Sequence, residues 1–532
     1  MKKIVLIVCF LLLSAGVCLG REVTLENRKL RGVHAKNLEQ VLRLEPGQID
    51  LATAALIASE RWSDIVAGRR YLAELDEMAR EIRRRLDKNN IRKDHRAITI
   101  INKYLFDELS FDSIETADDP NDLFLHTVLD KRRGYCLSLS VLYLAIGERL
   151  GLPLHGVVVP GHFFVRYDDG RVNFNIETTS GGGYADDEHY RKKFKVPAGS
   201  PLYLKNLNKR QVLGCFFNNL GNSYTHVCNF EQAAKALIRA VEINPSLAES
   251  RSNLGNIYLQ FGQVDEAIEQ YRASLAINGG DAKTHNNLGN AYLQKDWIQN
   301  AIDEYRQCIE AEPDFVDAYK NIAIAYGRRK MFNYSVRYLK DALRLTPEDA
   351  KCYKQLGDAF LELDQVGEAM YHYEKSLQYE EDFAEAWYGL GVCHHKQGER
   401  DEAIEAYMTA LRYKPDHVGA LTNLGNAYFE RKQWREALRQ YEVASYANPQ
   451  DGLIHYNIGA AYSNLEEHEE AVAEYEKCIE LVADMPDAHK GLAYGYYRLE
   501  KYDLACEYLR EARRLGAKIE PQLAEAIEEQ CR

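Results

Sequence analysis

Three residues within about forty positions have the types needed for acyl-transfer chemistry: Cys136, His162 and Glu177. A thiol is a strong nucleophile only as the thiolate, and a helix start and a neighbouring imidazolium both favour that form. Cys136 stands where Lys131-Arg132-Arg133-Gly134-Tyr135 gives way to the apolar run Leu137 to Leu150, at the start of an expected helix. His162 and Glu177 lie on two alternating runs joined by Asp169-Gly170. That dipeptide predicts a two-residue hairpin turn with positive φ at both central residues. Asp168 then opposes Arg171, opposed residue numbers sum to 339, and His162 faces Glu177. Directly opposed residues on one face have Cβ atoms about 4.5 to 5.5 Å apart, within reach of a hydrogen bond between ring and carboxylate. A carboxylate orienting an imidazole beside a thiol is the logic of a catalytic triad. Asn175, two residues earlier on the same face, is the other candidate for the orienting role.

The elements that must hold these groups can be read around them. Asp50 opens a helix through Arg61, Tyr71 to Leu86 is a second and Ile98 to Leu109 a third. Leu137 to Leu150 is hydrophobic almost all round and must be central, and Gly151 and Pro153 end it. Leu154 to Val159, His162 to Asp168 and Arg171 to Glu177 are the strands, with Pro160-Gly161 turning the first into the second. Gly181-Gly182-Gly183 reads as a flexible loop or a mobile rim of the site. The order of Cys, His and carboxylate, with Gly151-Leu152-Pro153 and Pro160-Gly161-His162-Phe163-Phe164-Val165-Arg166, resembles the transglutaminase-like branch of the papain-type cysteine hydrolases, in its bacterial subfamily fused to repeats. The resemblance implies an acyl transfer through Cys136, His162 and Glu177, although the broader superfamily usually has Asp where this chain has Glu177. In that chemistry the Cys136 N–H helps hold the oxyanion and His162 protonates the leaving amine. Water resolving the thioester makes a peptidase or amidase, an amine makes a crosslinker, and both stay open.

From Gly214 to Ile519 one pattern recurs nine times at a period of 34. Position 8 is small (Gly221, Gly255, Gly289 and onward), position 11 is aromatic or His, position 20 is Ala or Ser, and Pro closes five units. Two amphipathic helices per unit, with small residues where their backbones meet, make a helical hairpin that buries its apolar face only by stacking on neighbours. The pattern resembles the tetratricopeptide repeat. Together the resemblances imply an α+β transglutaminase-like domain followed by an all-α tetratricopeptide-repeat superhelix. The expected layout is a signal peptide at 1–20, the transglutaminase-like domain at 21–200, a connecting helix at 201–213, repeats at 214–519 and a capping helix at 520–532. Positions 6, 9 and 13 of each unit share a stripe that, in the resemblance, lines a concave groove. It carries Asn219, Asn222, Asn253, Asn256, Asn287, Asn290, Asn321, Asn423, Asn426 and Asn457. Such an amide ladder can bond an extended peptide backbone irrespective of its side chains. The first four units and the seventh are expected to bind most.

Charge and cysteines bound the remaining possibilities. A net charge of -13 argues against a broad nucleic-acid footprint. Lys2 and Lys3 before the apolar run Ile4 to Leu13 read as a secretory signal cut near Gly20, hence a periplasmic or secreted protein. Membrane attachment would require lipidation of Cys18. Nine Cys remain after such a cut, with no disulfide framework and no zinc spacing, and Cys308 and Cys478 take the place of packing alanines. No metal or cofactor is called for. Two readings follow: an exported cysteine enzyme acting on a polypeptide held by the repeats, or a non-catalytic scaffold in which the transglutaminase-like block is an inert cap.

Overall fold

The computed structural model describes residues 35, 37–60, 62, 68–116, 119–196 and 203–531. The expected signal peptide and Cys18 lie outside the described residues. The chain divides into two compact units, one ending at Lys295 and the other beginning at Asp296.

In the first unit, α1 (Leu38–Leu42), α2 (Leu51–Glu60), α3 (Gly68–Lys88), α4 (Ala97–Asn102), α5 (Leu125–Lys131) and α6 (Cys136–Leu150) precede the sheet. Asp50 caps α2, its Oδ1 accepting from the Thr53 N–H at 2.8 Å. On α3, Tyr71, Leu72, Leu75, Met78, Ala79, Ile82 and Leu86 are buried at helical spacing, while the charged face stays outside. Helix α6 buries 13 of its 15 residues and is the hub of the core, ending at Gly151 with φ 76°. The two-residue strands β1 (Asp112–Ser113) and β2 (Arg133–Gly134) pair in parallel just before it.

Strands β3 (Leu154–Val159), β4 (His162–Asp168), β5 (Asn173–Glu177) and β6 (Gly183–Ala185) form one antiparallel sheet in that order. The β4–β5 register corrects the expectation. Asp168 pairs with Asn173 and Val165 with Ile176, so opposed numbers sum to 341, not 339. The cause is Asp169. Its Oδ1 accepts from the Arg171 and Val172 N–H groups at 2.8 and 2.7 Å, and only Gly170 of the dipeptide has positive φ, 81°. A side-chain-capped loop of four residues thus replaces the two-residue turn. Because the side-chain period of a strand is two, a slip of two leaves every residue on its expected face.

The glycine run also differs from expectation. Gly183 begins β6, and a Cβ on Gly182 would lie 2.3 Å from the Asn102 side chain, whose Nδ2 donates to the Gly182 carbonyl at 2.8 Å. The run is a packed turn. After it comes α7 (Asp187–Lys193). The connecting helix expected at 201–213 is not a separate element. Leu204 and Leu207 donate their N–H groups to the Val158 and Gly156 carbonyls, so the open edge of β3 claims this backbone. Asn208 then caps α8 (Lys209–His226) by accepting from Gln211 N–H at 2.9 Å.

Helix α8 forms the first hairpin with α9 (Phe230–Ile243), and α10 (Ala248–Gln260), α11 (Val264–Ile277) and α12 (Ala282–Gln294) follow. Phe216, Phe217, Leu220, Ala236, Ala240 and Ile243 belong to the same apolar cluster as α6 and the sheet, so the first repeat is built onto the α+β core. The second unit holds Ile298–Ala311, six further hairpins between Val316 and Arg514, and the helix Pro521–Gln530. Within hairpins the position-8 glycines meet a tyrosine column that the sequence reading had not singled out. A Cβ on Gly255 would sit 2.6 Å from Tyr271, and Gly357, Gly391 and Gly425 meet Tyr373, Tyr407 and Tyr441 in the same way. Helices approach closely there because nothing but hydrogen stands on the glycine.

The cysteine expectation is corrected as well, since Cys506 and Cys531 form a disulfide across 25 residues. Spacing alone could not pair them; the last helix folds back to bring them together. Cys531→Ser should destabilise the last hairpin and capping helix by about 3.5 kcal/mol on the chain-entropy estimate for such a loop. Amide exchange read by mass spectrometry should quicken across residues 502–530 and stay unchanged in the first unit, and equal exchange throughout would deny the bond a stabilising role.

Candidate active site

Cys136 is the first residue of α6 and is 4% exposed. The helix start is set by Ser138, whose Oγ accepts from the Tyr135 N–H at 2.9 Å. The leading N–H groups of α6 have no partner earlier in their own helix and present a partial positive charge at the sulfur. Ser140 Oγ and Thr178 Oγ1 share a hydrogen bond of 2.9 Å, which pins α6 to the end of β5. His162 opens β4 and Glu177 closes β5, so the core helix and two strands deliver the three groups to one place.

The new register makes His162 and Glu177 diagonal neighbours, since a sum of 341 would put His162 opposite position 179. Diagonal neighbours are separated by more than direct ones. The longer Glu side chain spans the gap: His162 Nε2 and Glu177 Oε2 are 2.7 Å apart. Glu177 Oε2 also accepts from the Tyr190 hydroxyl at 2.9 Å, while Oε1 accepts from the Thr179 hydroxyl and N–H at 2.6 and 3.2 Å. Phe194 stacks on the imidazole with ring centroids 5.0 Å apart and 5° between planes. Sequence reasoning missed Tyr190, Thr179 and Phe194, because they come from the turn after β5, from α7 and from the residue that ends it, where no periodic signal points inward. Asn175 does not orient His162. Its Oδ1 accepts from Arg166 Nε at 2.7 Å and its Nδ2 donates to Asp187 Oδ1 at 2.8 Å.

Burial disfavours charge on both members of the His162–Glu177 pair, yet their contacts reverse that. Hydrogen bonds to Cys136 and Glu177 lift His162 to about 9, and the His162 and Thr179 bonds hold Glu177 down at about 2. With Nε2 on Glu177, Nδ1 is the ring nitrogen left for Cys136. Linkage fixes the sign of the pH dependence. The His162 contribution to stability is full below the ordinary range near 6.5 and is lost as pH rises through about 9. The Glu177 contribution is present above about 4.5 and is lost as pH falls through about 2. An imidazolium–carboxylate pair therefore persists at neutral pH beside the thiol.

A cavity of about 220 Å³ opens beside His162 and Tyr135, and Asn219 and Asn222 of the first repeat line it. All ten amides of the ladder are half-buried. Several bond one another rather than standing free: Asn253 Nδ2 donates to Asn222 Oδ1 at 2.8 Å and Asn287 Nδ2 to Asn256 Oδ1 at 2.9 Å. The tyrosine column takes others, with the Tyr271 hydroxyl on Asn256 Oδ1 and the Tyr441 hydroxyl on Asn426 Oδ1, both at 2.7 Å. Asn423 Nδ2 faces the Tyr388 hydroxyl at 3.4 Å. The oxygens of Asn222, Asn256 and Asn426 at position 9 are thus engaged within the fold, whereas the sequence leads one to expect a ladder that both donates to and accepts from a peptide backbone.

Known proteins fit this architecture. The description "Transglutaminase-like superfamily" matches residues 69–216, and tetratricopeptide-repeat descriptions match segments between 255 and 483. The chain carries a transglutaminase-like domain followed by an all-α tetratricopeptide-repeat superhelix, and the repeat region is of a protein-binding kind. It is similar to a UPF0162 protein of Xylella fastidiosa (strain 9a5c), 29% identical over 161 residues that make 28% of this chain and 57% of that protein. It is also similar to F-box only protein 21 of Mus musculus, 37% identical over 79 residues, 14% of this chain and 12% of that protein. The matches therefore span little more than half of the first relative and a small part of the second. Among solved structures, the crystal structure of YrrB, described as a TPR protein with an unusual peptide-binding site, is 23% identical with a TM-score of 0.32, over 35% of this chain and 97% of that one.

Proposed function

We propose that this is a cysteine-dependent acyl-transfer enzyme, exported to an oxidising compartment, that acts on a polypeptide engaged by its repeats. The observation that carries the reading is the 2.7 Å bond between His162 and Glu177 with Cys136 against the same ring at a helix start. Thiolate Cys136 attacks an amide or ester carbonyl, and the oxyanion is met by the Cys136 N–H. His162 gives its proton to the leaving group as the tetrahedral adduct collapses to a thioester. Water or an amine then attacks the thioester, with His162 taking up the proton. The Cys506–Cys531 bond supports export, because such bonds persist where the surroundings are oxidising. The scaffold reading has one observation in its favour, the 4% exposure of Cys136. Labelling kinetics of Cys136 in the native chain and in His162→Ala separate the two.

The amides define the second half of the reading. Oxygens on position 9 are held by neighbours, which turns the amide nitrogens of Asn222 and Asn256 toward a ligand's carbonyl groups. The pair Asn253→Ala and Asn287→Ala releases those neighbours and should weaken binding of a peptide ligand about thirtyfold, as befits two net hydrogen bonds of roughly 1 kcal/mol each. Fluorescence anisotropy with circular dichroism as the fold control measures this, and unaltered affinity would remove the ladder from the recognition surface.

A further inference from the structure

The cavity beside His162 has an unusual wall. Two carboxylates line it, Glu115 from the loop after β1 and Glu249 from the first turn of α10, and none of its lining residues is Lys or Arg. Glu249 accepts from the Tyr203 hydroxyl at 3.2 Å and from the N–H of Gly161, the residue just before His162. Burial pushes its carboxyl up to about 7, against the Tyr203 bond, with Asp281 adding to the rise and Lys283 opposing it. The His162 imidazolium that also lines the cavity is already held by Glu177, and Tyr203 and the Gly161 N–H bring Glu249 no charge, so a cationic ligand would offset the desolvation of this carboxylate.

A second observation points at a ligand from the other side of the same space. Asn218, 3% exposed, lines the cavity. Its Oδ1 is fixed by Ser250 Oγ at 3.1 Å and Asn253 Nδ2 at 3.3 Å. With the oxygen end so held, Nδ2 is the end left toward the cavity, and it donates to no group among the described residues. An amide donor at a cavity wall, with its oxygen end fixed by the fold, is placed to donate to a carbonyl that enters the cavity.

We propose that this cavity is a side-chain pocket for a basic residue, lysine or arginine, of the polypeptide ligand, with Glu249 and Glu115 receiving the cationic head and Asn218 Nδ2 donating to the ligand's backbone carbonyl. The inference rests on the acyl-transfer reading only for what happens to the neighbouring carbonyl at Cys136; binding in the pocket does not need turnover. It also gives the first two repeats a specific task, since Asn218 and Glu249 come from them.

Titration calorimetry of the full chain at pH 7.5 tests it with three blocked tripeptides, acetyl-Ala-X-Ala-amide with X as Lys, norleucine or Glu. The Lys peptide should bind at least about tenfold more tightly than the norleucine peptide, and the Glu peptide most weakly. Glu249→Gln should shrink the Lys preference to about threefold or less while the norleucine peptide binds as before, and Asn218→Ala should weaken all three alike. Should Glu249→Gln fail to fold, the exposed Glu115→Gln and a salt series serve instead: Lys binding should weaken between 50 mM and 500 mM NaCl and norleucine binding should not. Equal binding of the three peptides, no binding of any, or a Lys preference indifferent to both Glu variants and to salt would each overturn the pocket. Cys136→Ala should keep the Lys preference. An unreactive Cys136 with that preference intact would discard the enzyme and leave the pocket, and a reactive Cys136 without it would do the reverse.

Discussion

Iodoacetamide at neutral pH should label Cys136 on the order of 100-fold faster than any other free cysteine of the described chain. The competitors are poor nucleophiles for a physical reason. Burial pushes Cys215 and Cys352 up to about 12, and Cys393 and Cys478 up to about 11. Cys228 is exposed and serves as the solvent-accessible reference within the same molecule. His162→Ala removes the imidazolium and should bring Cys136 down to the Cys228 rate or below it. The ratio of native to His162→Ala rates should stay high below pH 9 and collapse as pH rises through about 9, where His162 loses its proton. Glu177 stays ionised throughout, because its contacts hold it near 2. Peptide mapping after timed quenching reads all rates at once. Equal rates at Cys136 and Cys228, or no response to His162→Ala, would leave the scaffold reading standing.

Arg166→Met should destabilise the first unit by about 3 kcal/mol or more, the cost typical of breaking a buried, hydrogen-bonded ion pair from one side. Arg166 is 4% exposed and its guanidinium spends all three nitrogens inside the fold: on Asn175 Oδ1 at 2.7 Å, on the Leu204 carbonyl at 2.9 Å, and on Asp187. It thereby ties β4, β5, α7 and the segment leading to α8. Loss of it strands the half-buried Asp187 and loosens α7, which carries Tyr190 to Glu177. Urea unfolding measures the stability. Cys136 labelling should slow in proportion to the loosening, less than in His162→Ala. Arg166→Lys should recover little, since an ammonium cannot reproduce a planar fork with three separate acceptors. Unfolding at the native urea midpoint would show that the network is dispensable.

How much of the site was legible differs residue by residue. Cys136 at a helix start was legible because the all-round apolar run Leu137 to Leu150 can only be a central helix, and Tyr135 and Gly134 lie just outside it. The pairing of His162 with Glu177 was legible through strand parity, although the assumed turn was wrong by two residues. Parity survived because the register shifted by two, an even number that leaves each side chain on its face; the register did not, because the Asp169 side chain offered the backbone a better bond than the two-residue turn did. Asn175 shared the correct face with Glu177, but Arg166 was the nearer claimant for its oxygen. The hairpin repeat was legible because each hairpin depends only on its neighbours, whereas the tyrosine column that meets the position-8 glycines was not.

The amino-acid sequence by itself determined the hairpin period, the central helix, the strand faces and the three chemical types that could meet. These depend on contacts within or between adjacent elements, where spacing along the chain is spacing in space. The tertiary structure alone decided that Tyr190 completes the hold on Glu177, that Cys506 finds Cys531, and that Asn218 and Glu249 border the cavity at His162. Each of those joins residues far apart in the chain through packing of whole elements, and no local pattern encodes where such elements come to rest.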